Sequence, residues 1–195
     1  MPYAKKLDTD IILNAGCAAD LACTEHASEI LNSISGKVYI PQIIHAEVKS
    51  AINDQPRLRR STTNNWLIQI LDTGLLTLAS LETDAEWKEY SVLTQDHRLA
   101  HQRIGATIRI LAKHRNWIVV CNDYHTMGQL DKHTPPGRYV STIDLVKHWY
   151  DQHDKPPEQI GSILSRLLNV HYAPMQNHPL YDWWRENIVI RREEG

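Results

Sequence analysis

Trp117-Ile118-Val119-Val120-Cys121, followed by Asn122-Asp123, is the stretch on which the fold turns. It contains five consecutive apolar residues, three of them β-branched, with no polar face between them. Such a run suits a strand in the middle of a parallel sheet, where helices cover both faces. It ends on Asn122-Asp123, so a carboxylate is delivered where the chain leaves the sheet.

Working outward, four further strands are expected: residues 7–13, Lys37-Val38-Tyr39-Ile40 closed by Pro41, Leu75-Leu76-Thr77-Leu78, and Arg138-Tyr139-Val140. Between them apolar residues recur at helical spacing. Ala27, Ile30, Leu31 and Ile34 make one stripe; Ile44, Val48 and Ile52 a second; Trp66, Leu67, Ile70 and Leu71 a third. Residues 84–115 read as helix in two pieces, and Ser35-Gly36 and Gly74 act as stops. Strands alternating with helices imply βαβ units, hence an α/β fold with a mainly parallel central sheet. After Tyr150 the pattern changes. Asp154-Lys155-Pro156-Pro157 is a break, which divides the chain into a domain over 1–150 and a helical extension over 151–195. Ile160, Ile163, Leu164, Leu167 and Leu168 give the extension an apolar face, and Trp183-Trp184 is expected to pack on the core or on a partner.

A chain of 195 residues supports one substantial core. The net charge of −2 leaves no global nucleic-acid footprint, so any such binding must come from local patches. Cys17, Cys23 and Cys121 are odd in number and lack CxxC spacing, which argues against a disulfide framework and against a structural zinc site. They fit a reducing compartment. With no signal peptide and no apolar run of membrane-spanning length, a soluble cytoplasmic protein is expected.

The chemistry is sought in the acids, because open α/β sheets place their sites outside the carboxyl ends of the strands. Asp8, in Leu7-Asp8-Thr9-Asp10, is read as lying on the first strand, and Asp123 follows the strongest one. Glu47 falls one turn into the helix after Ile40-Pro41, at the border of its apolar face. Three carboxylates meeting in one crevice repel, and a divalent cation with oxygen preference relieves them. Mg²⁺ or Mn²⁺ held this way activates water for phosphoryl displacement.

Three segments together resemble a PIN domain: Leu7-Asp8-Thr9-Asp10; Ile40-Pro41-Gln42-Ile43-Ile44-His45-Ala46-Glu47-Val48; and Ile118-Val119-Val120-Cys121-Asn122-Asp123. The resemblance covers about residues 4–145 in order and spacing. It implies a three-layer α/β/α sandwich and a metal-dependent ribonuclease, commonly the toxin of a toxin–antitoxin pair and often a homodimer. By matched position Asp8, Glu47 and Asp123 would hold Mg or Mn, and the partners would be RNA and an antitoxin protein. Asp10 stands where that family usually carries Asn or Ser. One departure concerns a further acid of the family, whose position falls here on Gly105. The nearest upstream carboxylate is Asp96, nine residues earlier. At about 100° per residue it lies roughly opposite Gly105 unless the helix breaks near Ile104-Gly105. His101 is the other residue on nearly the same stripe.

For RNA, Arg57, Arg59 and Arg60 form one basic patch. Arg98, with Arg103, Arg109, Lys113 and Arg115, forms a second. Two alternatives stand beside the ribonuclease. One is a PIN-like fold without catalysis that binds RNA or protein, supported by Gly105. The other is a phosphatase of the haloacid dehalogenase kind, suggested by Asp8-Thr9-Asp10. Against that phosphatase, Ile12 occupies its Thr/Val position and Lys5-Lys6 precede the acids where an apolar strand is wanted.

Overall fold

A computed structural model describes residues 7–44, 70, 73–95, 100–122, 138–153 and 156–188. Among these, five strands form one sheet: β1 (Ile11–Leu13), β2 (Val38–Pro41), β3 (Thr77–Ala79), β4 (Ile118–Val120) and β5 (Tyr139–Val140). Their order is β3-β2-β1-β4-β5 and every pairing is parallel. Ile12 lies between Tyr39 and Val119, and Val120 between Leu13 and Val140. The apolar run thus supplies an interior strand, with Val119 and Val120 buried. Seven α-helices are described: α1 (Ala15–Cys23), α2 (Ala27–Asn32), α3 (Asp84–Thr94), α4 (Ala100–Arg115), α5 (Thr142–His153), α6 (Pro157–Asn169) and α7 (Tyr181–Asn187). Helix α4 packs on β1, β2 and β4 and carries α3, while α1, α2, α5 and α6 pack on one another. The result is the expected α/β sandwich with helices on both faces of a parallel sheet. Among the described residues no helix is long and apolar enough to cross a membrane.

The first strand is shorter than the expected 7–13. Leu7 is buried as a strand residue would be, but the ladder begins only at Ile11. Asp10 is the reason: its Oδ1 accepts the backbone N–H of Lys37 at 2.8 Å and its carbonyl accepts that of Ile118 at 3.0 Å. The carboxylate therefore fastens the entry of β2 beside β1. Gly36 makes this approach possible, since a Cβ there would stand 2.2 Å from the carbonyl carbon of Thr9. Gly36→Ala is expected to destabilise the chain by about 1–3 kcal/mol, read as a lower urea midpoint at unchanged slope.

Helix α3 opens with a capping box between Thr83 and Glu86. Buried Glu86 also accepts from Arg115 Nε at 2.8 Å, and Arg115 Nη2 donates to the Ser80 carbonyl at 2.8 Å. Burial alone would raise the Glu86 carboxyl. The hydrogen bonds from Arg115 and from the Glu82 and Thr83 amides outweigh it and hold the pKa at about 2. A lowered folded pKa stabilises above the unfolded value of 4.5 and is lost as pH falls toward 2. Glu86→Gln should cost about 2–4 kcal/mol at pH 7 and flatten the acid limb of a stability–pH curve between those values.

Helix α6 buries Ile160, Ile163, Leu164 and Leu167 completely, in the same apolar cluster as the sheet residues. It lies against α1 and α7, and half-buried Trp183 packs its ring on Tyr150 at 5.9 Å between centroids. The extension is thus built onto the core.

Candidate functional site

The strand order reverses between β1 and β4, and a crevice at the carboxyl ends of two such strands is where open α/β sheets bind ligands. The residue leaving β1 is Asn14. Its Oδ1 caps α1 by accepting the Cys17 N–H at 2.8 Å, and its Nδ2 donates to Cys121 Sγ at 3.3 Å. The residue two beyond β4 is Asn122. Its Oδ1 accepts the Thr142 N–H at 2.8 Å, while its Nδ2 donates to Thr142 Oγ1 at 2.8 Å and to Asp20 Oδ2 at 2.7 Å. One amide thereby ties α1, β4 and α5 together.

Asp20 is half-buried on α1 and lines a cleft of about 280 Å³. Burial pushes its carboxyl up to about 6, against the hydrogen bond from Asn122, which favours the charged form. Asn122 and Ser141 line the cleft from the sheet side, while Val170, His171, Tyr172 and Pro174 come from the extension. A carboxylate titrating near neutrality in a cleft at the switch point marks a candidate functional site. The thiols are poor nucleophiles by comparison, since burial raises Cys17 well above its ordinary value and Cys23 to about 12.

A serine, a histidine and an aspartate also meet here, in an order that excludes a triad. Ser141 precedes α5, and its N–H and hydroxyl donate to Asp144 Oδ2 at 2.6 and 2.8 Å. His178 Nδ1 accepts the Leu180 N–H at 3.1 Å, so its proton is on Nε2, which donates to Ser141 Oγ at 3.1 Å. The serine proton points at the acid, and the histidine has no lone pair with which to take it. Burial would raise the Asp144 carboxyl, yet hydrogen bonds from His178 and Ser141 leave it below its ordinary value. The group is a helix start that anchors the extension.

The expected site residues fare differently. Asp8 is exposed and precedes β1, so it lies at the amino edge of the sheet, opposite the crevice. This corrects its expected convergence with the carboxyl end of β4. Glu47, Asp96, Asp123, Arg57, Arg59, Arg60 and Arg98 lie outside the described residues. Helix α4 runs without a break through Ile104-Gly105 and begins four residues after Asp96. A Cβ on Gly105 would meet nothing within 4 Å, so space does not forbid a larger residue there. In the second basic stretch, Lys113 pairs with Glu89 at 2.8 Å on the surface, while Arg115 pairs with buried Glu86. Arg103 is exposed.

Sequence reasoning missed Asn14 and Asp20. The signal for Asp20 was present: a single charge in Ala18-Ala19-Asp20-Leu21-Ala22, on an apolar helix directly after an apolar strand. Among the described residues it is the one carboxylate lining the cleft, and no three acids, histidines or cysteines among them stand together as a metal group. Its oxygens are the right kind of donor for Mg or Mn, but a single carboxylate falls short of a cage. Comparison of the chain with protein-family models, with characterised proteins and with solved structures gave no match.

Proposed function

We propose that this chain is a PIN-like ribonuclease dependent on Mg or Mn, working in the crevice at the carboxyl ends of β1 and β4 with Asp20 as a central carboxylate. The observation that carries this reading is geometric: Asp20 is a half-buried carboxylate lining the cleft where the strand order reverses, and that burial raises its carboxyl to about 6. Such a group is matched to accept a proton from an attacking water near neutral pH. In the sequence Asp123 follows Asn122 directly and Glu47 follows β2 by six residues, which supplies the further carboxylates a hard cation requires. The cation, when bound, would offset the acidic charge and stabilise the phosphoryl group under attack. A toxin role, an antitoxin partner, a homodimer and a cytoplasmic location accompany this reading.

The test is cleavage of a mixed-structure RNA with Mn²⁺, Mg²⁺ or EDTA by wild type, Asp20→Asn, Asp123→Asn and Asp8→Asn. Metal-dependent cutting is expected in wild type and in Asp8→Asn, and is expected to disappear in the other two. Full activity in Asp20→Asn would refute the assignment.

A second reading has its own observation. The side chain leaving β1 is an amide, Asn14, with both polar atoms engaged internally, so that strand end offers no free carboxylate. A PIN-like module that binds RNA or protein without cutting would fit that arrangement. RNA retained on the protein but intact under every metal would favour it.

A further inference from the structure

His171 offers a chemical function that the crevice otherwise lacks. Helix α6 ends at Asn169 with Val170 as its C-cap, and the next two amides close the last turn: His171 N–H to Leu168 O and Tyr172 N–H to Leu167 O, both at 2.9 Å. This pattern needs a left-handed residue just past the helix, a position glycine suits best. His171 occupies it at φ 65°. Two other residues past helix ends, Glu25 and Asn116, share the conformation at φ 61°. Asparagine tolerates it, and Glu25 gains an ion pair with Arg166. Among the described residues His171 has no such compensation, for its imidazole makes no hydrogen bond or ion pair.

The polar side chains beside it in the cleft are already committed. Asp20 and Asn122 bond each other, Ser141 donates to Asp144, and the Tyr172 hydroxyl accepts the Ile143 N–H at 3.1 Å. That last bond, with Tyr172 buried, holds the His171 backbone against the start of α5. A solvent-facing imidazole on a left-handed backbone thus lines a cleft in which Asn122 and Ser141 already donate within the fold. Strain at an exposed position persists when the side chain serves a ligand.

We propose that His171 is a phosphate-binding residue, its ring N–H donating to a non-bridging oxygen of a single-stranded RNA lying in the cleft. This rests on the ribonuclease reading, and it assigns the contact with the backbone phosphate to the extension. A volume of about 280 Å³ accommodates a unit of nucleotide size and not a duplex.

The experiment is fluorescence anisotropy of a labelled single-stranded RNA in EDTA, where no cutting occurs, using the full chain. Three proteins are compared: wild type, His171→Gly and His171→Asn. Glycine relieves the backbone, so His171→Gly should melt at the same temperature as wild type or a few degrees (about 2–5 °C) higher. Its affinity for RNA should nevertheless fall about tenfold, the loss of one hydrogen bond to a charged group. His171→Asn, which keeps a donor and tolerates the conformation, should recover part of that loss. Wild-type affinity in His171→Gly would overturn the assignment while leaving the ribonuclease reading intact. Absence of RNA binding by the wild-type chain in EDTA would overturn the His171 contact, while the metal-dependent cleavage assay decides the ribonuclease reading separately.

Discussion

A chain ending at residue 155 is expected not to fold. It loses Ile160, Ile163, Leu164 and Leu167, all fully buried, together with Tyr172 and Leu180. Each of the four fully buried residues contributes roughly 1.5–3 kcal/mol by leaving water, so together they match the about 5–15 kcal/mol net stability of a typical domain. The cut also uncovers α1, against which α6 packs, and strips Ser141 and Asp144 of their bond to His178. Far-UV circular dichroism and a thermal melt of residues 1–155 should show no cooperative transition. A soluble fragment with a sharp melt would mean that the extension is an appendage.

The second large effect is a pair of opposite changes in one variant. Asp20→Asn should reduce RNA cleavage by about 10²-fold or more, the usual contribution of a positioned acid–base group. The same change should stabilise the metal-free protein at pH 8. The folded carboxyl pKa of about 6 lies above the ordinary aspartate value of 3.8, so the native state disfavours the charge. A raised folded pKa gives stability that is complete below about pH 4 and lost as pH rises through about 6. At pH 8 the charged form costs at most about 3 kcal/mol, a figure that partial exposure reduces. Asparagine removes that cost. Urea titrations in EDTA at pH 4.5 and pH 8 should show the variant gaining more on wild type at the higher pH. An equal difference at both pH values would mean that Asp20 is not buried as a charge, and the site would lose its central observation.

The architecture was legible because burial on both faces leaves a mark in the sequence. Ile118-Val119-Val120 can be stable only between two layers, and that requirement makes it an interior strand. The apolar stripe of residues 160–167 was equally plain. What that stripe covers was not, since an amphipathic face specifies that it will be buried and not against which surface. Leu7 shows the same limit from the other side. It is buried, so it reads as strand, yet Asp10 and not the ladder receives the Lys37 amide. The first strand therefore starts at Ile11, and the acids before it fall at the amino edge.

The candidate site depended on that edge. Asp8 drew attention as an acid read as lying on the first strand, while Asp20 lay six residues beyond β1's last neighbour, Asn14, inside a helix. A helical acid enters a crevice only when the helix is aimed there, and Asn14 capping α1 and Asn122 holding Asp20 do the aiming. By itself, the sequence determined the alternation of strands and helices, the interior strand and the apolar face of the extension. These follow from local periodicity and from what each side chain costs in water. Only the tertiary structure decided which carboxylate reaches the crevice. The two ends of a short strand look alike in sequence, and only its pairing register and the polar side chains bridging distant segments tell one end from the other.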